Sequence, residues 1–324
     1  MLKTDLNKYV CIHGHFYQPP RENAWLGVIE YQESAAPFHN WNERINFECY
    51  APNSAARLLN ERQEIKGIVS NYAYMSFNIG PTLLAWMEKY DPEAYKAILD
   101  ADKQSLAMFD GHGSAIAQVY NHIIMPLANK RDKETQIVWG IYDFESRFHR
   151  KPEGIWLAET AVDTETLELL ADHDLKYTIL APRQAKAFKK LSDETWTACT
   201  NGPVDSRNAY LYKLPSGRKI VLFFYDGGIA QAVAFNGLLN DGKLFAEKMV
   251  SVFDENEVPQ LSHIATDGES YGHHHQFGEM ALAACFDFLR QNEKITITNY
   301  GQYIAANPPL FEVQIHENSS WSCV

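Results

Sequence analysis

Short apolar runs alternate with longer amphipathic stretches along almost the whole chain. Tyr9-Val-Cys-Ile-His13 reads as a first buried strand. A long irregular stretch follows from Gly14 to about Tyr50, with Tyr17-Gln-Pro-Pro20, Trp25 and Trp41 in it. Structureless stretches of that length in compact domains are usually lids or binding loops. Asn53 caps a predicted helix with Ala55, Leu58 and Leu59 inward, and residues 65–78 hold at least one strand. Pro81 opens a helix that turns Leu83, Leu84 and Met87 inward, and residues 92–108 form another. Residues 115–120 read as a strand, and Ile137, Ile141, Phe144 and Phe148 as the inner stripe of a helix after Asp132.

The second half repeats the alternation. Residues 155–158 and 177–180 read as strands around a helix capped by Asp163, with Leu167, Leu170 and Ala171 inward. Residues 186–218 are polar and read as a surface insertion before a strand over 219–225. Phe245, Met249 and Val252 mark a helix, and 261–266 a strand. Ala281, Ala284, Cys285 and Phe288 then share one helical face, and 295–298 form a last strand. Such alternation predicts a parallel α/β fold. Polar clusters follow several separate strands, at His15, His112, Glu159 and Asp267. A doubly wound sheet would gather them at one switch point, so a barrel fits better. No repeat or inter-domain linker interrupts the pattern, and residues 1–324 read as a single domain.

Composition narrows the function classes. Acids outnumber bases 41 to 29, for a net charge of −12, and no Lys/Arg run stands out. Nucleic acid and anionic membrane surfaces are therefore not expected partners. No GxGxxG or GxxxxGK[ST] supports nucleotide binding, and no apolar run reaches the length of a membrane span. The amino terminus lacks the apolar core of a signal peptide. The five cysteines (Cys11, Cys49, Cys199, Cys285, Cys323) are scattered and read as free thiols of a reducing compartment, giving a cytoplasmic expectation.

The chemistry concentrates in two places. Thr266-Asp-Gly-Glu-Ser-Tyr-Gly-His-His-His275 follows one predicted strand, and Gly154-Ile-Trp-Leu-Ala-Glu159 carries a carboxylate straight after another. A glutamate there is unusual unless paired or catalytic. Glu159 and Asp267 supply the two carboxyl groups that glycoside hydrolysis needs: one attacks the anomeric carbon, the other protonates the leaving oxygen and then activates water. Glu269 is a rival acid, or tunes Asp267 or binds a sugar hydroxyl. Tyr271 and His273 join it as candidate sugar contacts. His13-Gly-His15 admits a different reading, since His-x-His after a first barrel strand also suits a metal site of the amidohydrolase or deacetylase type. A non-catalytic carbohydrate-binding protein is a third.

Four segments carry a family resemblance. His13-Gly-His-Phe-Tyr-Gln-Pro19, Gly111-His-Gly-Ser114 with Tyr120-Asn-His122, Trp156-Leu-Ala-Glu159 and Thr266-Asp-Gly-Glu269 resemble, in order, four of the five motifs of glycoside hydrolase family 57. The resemblance implies an incomplete, seven-stranded β/α barrel of TIM-barrel type. It makes Glu159 the nucleophile and Asp267 the general acid/base, and puts His13, His15, Gln18, His112 and Trp156 in the sugar cleft. It also implies retaining action on α-glucans or maltooligosaccharides, by hydrolysis or transfer, with no metal or other cofactor. The first motif departs from the family pattern by Phe16-Tyr17 before Gln18, which leaves His13 and His15 as alternatives for one family histidine. The fifth motif, which lies in a helical region of relatives, is not found. A catalytic barrel without that region is the expectation.

Overall fold

The computed structural model describes residues 7–201 and 204–322. Residues 1–6, on which the signal-peptide expectation rests, and Cys323 lie outside the described residues. In chain order the strands begin with β1 (Lys8–Phe16), β2 (Ala56–Leu59), β3 (Ile65–Val69), β4 (Ser76–Ile79), β5 (Ala117–Gln118), β6 (Ile155–Trp156) and β7 (Tyr177–Leu180). There follow β8 (Ala185–Lys190), β9 (Thr197–Ala198), β10 (Ala209–Lys213), β11 (Lys219–Phe224), β12 (Gln260–Asp267), β13 (Thr296–Ile297) and β14 (Phe311–Ile315).

β1 is the central strand, buried from Val10 to Phe16. A strand covered on both faces can be apolar at successive positions, as Val10-Cys-Ile12 is. It pairs in parallel with β12 on one edge, and with β13 and then β4 on the other. Single parallel bridges, Phe77–Ala115 and Gly154–Tyr177, carry the order onward from β4 to the β5–β6 pair and then to β7, which pairs in parallel with β11. The Asp226 amide just past β11 donates to the His263 carbonyl of β12 at 2.8 Å. Hydrogen bonding thus divides into four sheets among the described residues, and no closed barrel sheet forms. Helices pack outside these strands. The helix Lys130–Phe148 comes so near β5 that a Cβ on Gly140 would fall 2.1 Å from the Gln118 carbonyl oxygen.

Three expectations need correction. The predicted helix after Asn53 is strand β2, in which Ala56 and Leu58 are buried and Arg57 between them is exposed. Residues 186–218 are not a bare surface insertion: β8, β9 and β10 join β7, β11 and the unforeseen β14 in a six-stranded mixed sheet. On helix Gly278–Gln291 the buried face is Leu282, Ala283, Cys285, Phe286 and Leu289, while Phe288 is exposed. Caps behaved as the side-chain chemistry dictates. Asp163 accepts from the Thr166 amide, and Asn129 caps Lys130–Phe148, accepting from the Asp132 amide.

At the amino ends of the strands, buried Asp102 holds Arg150 through two hydrogen bonds, at 2.7 and 2.9 Å, and accepts the Ala115 amide at 2.9 Å. Removing one partner of such a pair strands the other charge. Asp102→Ala is expected to lower stability by about 3–5 kcal/mol. Urea unfolding measures it, and a loss under about 1 kcal/mol would mean the pair is solvated.

Candidate active site

Register places polar side chains in rows across β12, β1 and β4. Ala265, His13 and Ser76 are aligned, then Asp267, His15 and Asn78. Residues two apart share a strand face, so both rows point the same way. His13 Nε2 donates to Asn78 Oδ1 (3.1 Å), and its Nδ1 meets the Ser76 hydroxyl (3.0 Å). Asn78 Nδ2 donates to His15 Nδ1 (2.8 Å) and to Gln118 Oε1 (2.6 Å). His15 Nε2 reaches His122 Nε2 at 2.9 Å, and Tyr17 stacks on His122 at 3.9 Å. Trp156 lies against His13 and His15, at 5.0 and 4.9 Å between ring centres. Burial, which disfavours the charged ring, pulls His13 down to about 3, His15 well below the usual range and His122 to about 4.

Glu159 and Asp267 sit at the carboxyl ends of the strands. Glu159 follows β6 in a short turn, Ala158–Thr160, where Glu159 (φ +57°) and Thr160 (φ +50°) are both left-handed. For a β-branched residue that backbone is a genuine outlier. Gln184 holds it: its Oε1 accepts from Thr160 Oγ1 and the Ala181 amide, both at 2.8 Å, and its Nε2 donates to the Thr160 carbonyl at 2.9 Å. Trp321 completes the clamp, its Nε1 donating to Glu159 Oε2 (2.8 Å) and its amide to the Glu159 carbonyl (2.9 Å).

Asp267 ends β12. It and Glu159 line one cavity of about 410 Å³ with Tyr225, Gln231, Phe235 and Trp321. The Asp267 side chain is reachable by solvent, yet the concave wall around it removes much of its hydration. That burial first, and repulsion from Glu159 second, raise it to about 6. Glu269 is placed differently. It is buried, accepting from the Tyr50 hydroxyl at 2.5 Å and the Tyr17 amide at 3.3 Å, and burial raises it to about 7. Between the two acids, a Cβ on Gly268 would fall 2.3 Å from the Phe16 ring, so only glycine lets this turn seat there.

Not every expected residue joins the cavity. His13, His15 and Trp156 are buried beneath it. Gln18 is buried too, donating to Tyr50 (3.0 Å) and accepting from Arg21 (2.6 Å). Tyr271 is a core residue that accepts from Thr266 Oγ1 at 3.0 Å. His273 pairs with Glu48 and lines a separate cavity of about 620 Å³ with Arg57 and Phe277. The expectation for His112 is corrected. It precedes β5 and bonds Glu153 (2.8 Å), which precedes β6, so it lies at the opposite end of the strands from Glu159. His122, which follows β5, stands where His112 was expected. His122 belongs to the Tyr120-Asn-His122 segment of the second motif, whereas Asn78, Gln184 and Trp321 were not expected there. A cavity of about 570 Å³ beside Gln260 and Arg207 lies at the amino end of β12, and Arg207 there is already paired with Asp205 and Asp254. Among the described residues no three His, Cys, Asp or Glu side chains form a cluster able to hold a metal ion, and the nitrogens of His13 and His15 are engaged as above.

The model of Glycosyl hydrolase family 57 matches residues 9–316. Among solved structures, the chain is similar to a 4-α-glucanotransferase from Thermococcus litoralis (TM-score 0.69, 19% identity, 97% of this chain and 42% of that one). It is similar to an exo-type maltose-forming amylase from Pyrococcus sp. ST04 (TM-score 0.70, 20%, 97% and 53%). A branching enzyme from Pyrococcus horikoshii also matches (TM-score 0.67, 15%, 98% and 73%). At these identities the likeness establishes the fold, α/β and TIM-barrel-like. The chain spans about half the length of the first two. Comparison with curated proteins finds no match.

Glu269 yields a stability prediction. Its folded pKa, about 7, lies above the ordinary 4.5, so its contribution is complete at acid pH and is lost as pH rises through 7. Glu269→Gln keeps the shape without the buried charge. It should raise stability at pH 8 by on the order of 2–3 kcal/mol and change little at pH 5. Calorimetry at both pH values decides; destabilisation at pH 8 would show that the ionised form is the one the site favours.

Proposed function

This chain belongs to glycosyl hydrolase family 57, and from that premise we propose a retaining glycosidase or transglycosylase that acts on α-linked glucans by double displacement. The observation that carries the reading is a pair of carboxyl groups, Glu159 and Asp267, lining one cavity and close enough for one to raise the pKa of the other. Glu159 is the nucleophile. Trp321 occupies its Oε2, which leaves Oε1 to attack the anomeric carbon. As that bond forms, the glycosidic bond breaks and Asp267 gives its proton to the departing oxygen. The product of this step is a glycosyl ester on Glu159, with Asp267 ionised. Esterification removes the negative charge of Glu159, and with it the repulsion that adds to burial in raising the Asp267 pKa. Asp267 is then free to take a proton from water, or from a sugar hydroxyl in transfer, as that oxygen attacks the anomeric carbon and releases Glu159. Glu269, buried under Tyr50 and Tyr17, is a support for the Asp267 turn rather than the proton donor.

The same reading takes β12, β1, β4, β5, β6, β7 and β11 as the seven strands of an incomplete barrel within a single domain spanning 1–324. His13, His15, Gln18 and Trp156 form its floor, and maltooligosaccharides or longer α-glucans are the substrates. No described helix is long and apolar enough to cross a membrane. Cys11, Cys49, Cys199 and Cys285 are unbonded, which suits a cytoplasmic enzyme.

Glu159→Gln should abolish turnover of every substrate. Asp267→Asn should cost about 10²- to 10⁴-fold on glucans but keep a fast first step on a substrate with a good leaving group, with the second step slow. Stopped-flow kinetics separates the two; an Asp267→Asn enzyme close to wild type on glucans would refute the assignment.

The acid must be protonated, so kcat/KM should fall as pH rises through about 6, the Asp267 value. That limb should vanish in Asp267→Asn when the leaving group needs no proton. A limb that persists belongs to another group.

A further inference from the structure

The polar rows end in a chain of hydrogen bonds whose direction can be followed donor by donor. The Asn78 amide nitrogen has two hydrogens, and both are committed: one to Gln118 Oε1 at 2.6 Å, the other to His15 Nδ1 at 2.8 Å. Its oxygen accepts from His13 Nε2 at 3.1 Å. A neutral imidazole that accepts at Nδ1 carries its proton on Nε2. His15 Nε2 is therefore a donor, and the nitrogen it meets at 2.9 Å, His122 Nε2, is an acceptor. A neutral His122 that accepts on Nε2 holds its proton on Nδ1. Burial keeps both rings neutral near pH 7.

The chain runs outward. His13 and His15 are buried, whereas His122 is partly exposed and feels the charge of Glu159. We propose that Asn78 sets the proton polarity of the His15–His122 pair, so that His122 carries an N–H donor on Nδ1 instead of a bare nitrogen. Asn78 is thus a positioning residue that acts through two imidazoles. The opposite polarity would turn the Asn78 oxygen toward His15 and reverse every bond in the chain. It would pair Gln118 Nε2, which is buried without a partner, but would leave one Asn78 hydrogen and the Gln118 oxygen unpaired instead. The use of the donor, to hold an oxygen of a bound sugar, rests on the proposed glycosidase reading; the polarity itself does not.

Two-bond proton–nitrogen correlation spectra of the uniformly labelled chain, at pH 7.5 and without substrate, read each histidine's tautomer directly. His122→Gln assigns the His122 signals. The proposal expects Nδ1–H on His122 and Nε2–H on His15. An isolated neutral imidazole prefers Nε2–H, so the His122 result would run against its intrinsic preference. Asn78→Leu removes the imposed direction. The His122 population should then redistribute toward Nε2–H, and kcat/KM should fall roughly tenfold, the worth of about one hydrogen bond. Nε2–H on His122 in the wild type, or an unchanged tautomer in Asn78→Leu, overturns the proposal. Should Asn78→Leu fail to fold, the wild-type spectrum alone decides. An inactive chain with the expected tautomers would refute the glycosidase reading and leave the polarity standing.

Discussion

The left-handed turn at Glu159 and Thr160 is the constraint on which the site depends. Two successive non-glycine residues there have positive φ, and each such residue costs on the order of 1–3 kcal/mol unless its surroundings hold it. Gln184 supplies the hold, gripping the Thr160 hydroxyl and carbonyl with one amide. The same amide donates to the Ser319 carbonyl at 3.0 Å, tying the strained turn to the last described segment of the chain. That segment bridges back at Val162–Ser319 and delivers Trp321 to Glu159. One buried glutamine therefore joins three parts of the sequence around one carboxylate. A looser turn would let Glu159 rotate away from the cavity it shares with Asp267.

The interior beneath the carboxylates is built against the usual economy of barrels, which fill their centres with branched apolar side chains. Here His13, His15, Asn78, Gln118 and Ser76 are buried together. Burying such groups is tolerable only where each is hydrogen-bonded, and the parallel register of β12, β1 and β4 supplies the partners by placing rows of polar residues side by side. The pairing has gaps: Trp156 Nε1 and Gln118 Nε2 are buried with no partner. The histidines of this network are neutral and add no positive charge beside the two acids. Burial first, and repulsion from the nearby Glu159 second, raise the proton affinity of Asp267.

Much of this was legible in the chain, and the rest was hidden for physical reasons. Short runs of mostly apolar residues such as those of β7, β11 and β12 declare themselves, and Glu159 and Asp267 stand out because carboxylates directly after buried strands are rare. Residues 55–59 were misread because so short a run fits a helical stripe as well as an alternating strand. The six-stranded sheet escaped notice because β8 and β9 are largely exposed or half-exposed, and β8 finds its main partner, β14, only far along the chain. His112 was misplaced for a reason the sequence did contain. In parallel strands, residues before a strand and residues after it lie at opposite ends. His112 precedes β5 while His122 follows it. Gln184 and Trp321 left no signal, since their roles arise only from tertiary closeness to Glu159.

As the proposed nucleophile, this strained, clamped glutamate is expected to become covalently bonded to sugar. A 5-fluoro-α-glucosyl fluoride has a reactive leaving group and a slow second step, so it accumulates whatever adduct the first step makes. After incubation and proteolysis, mass spectrometry should find one 5-fluoroglucosyl group on the peptide that contains Glu159, fluoride from the anomeric carbon having left, and none in Glu159→Gln. An unlabelled peptide, together with a β-anomer as the first product released from an α-glucan, would contradict the account.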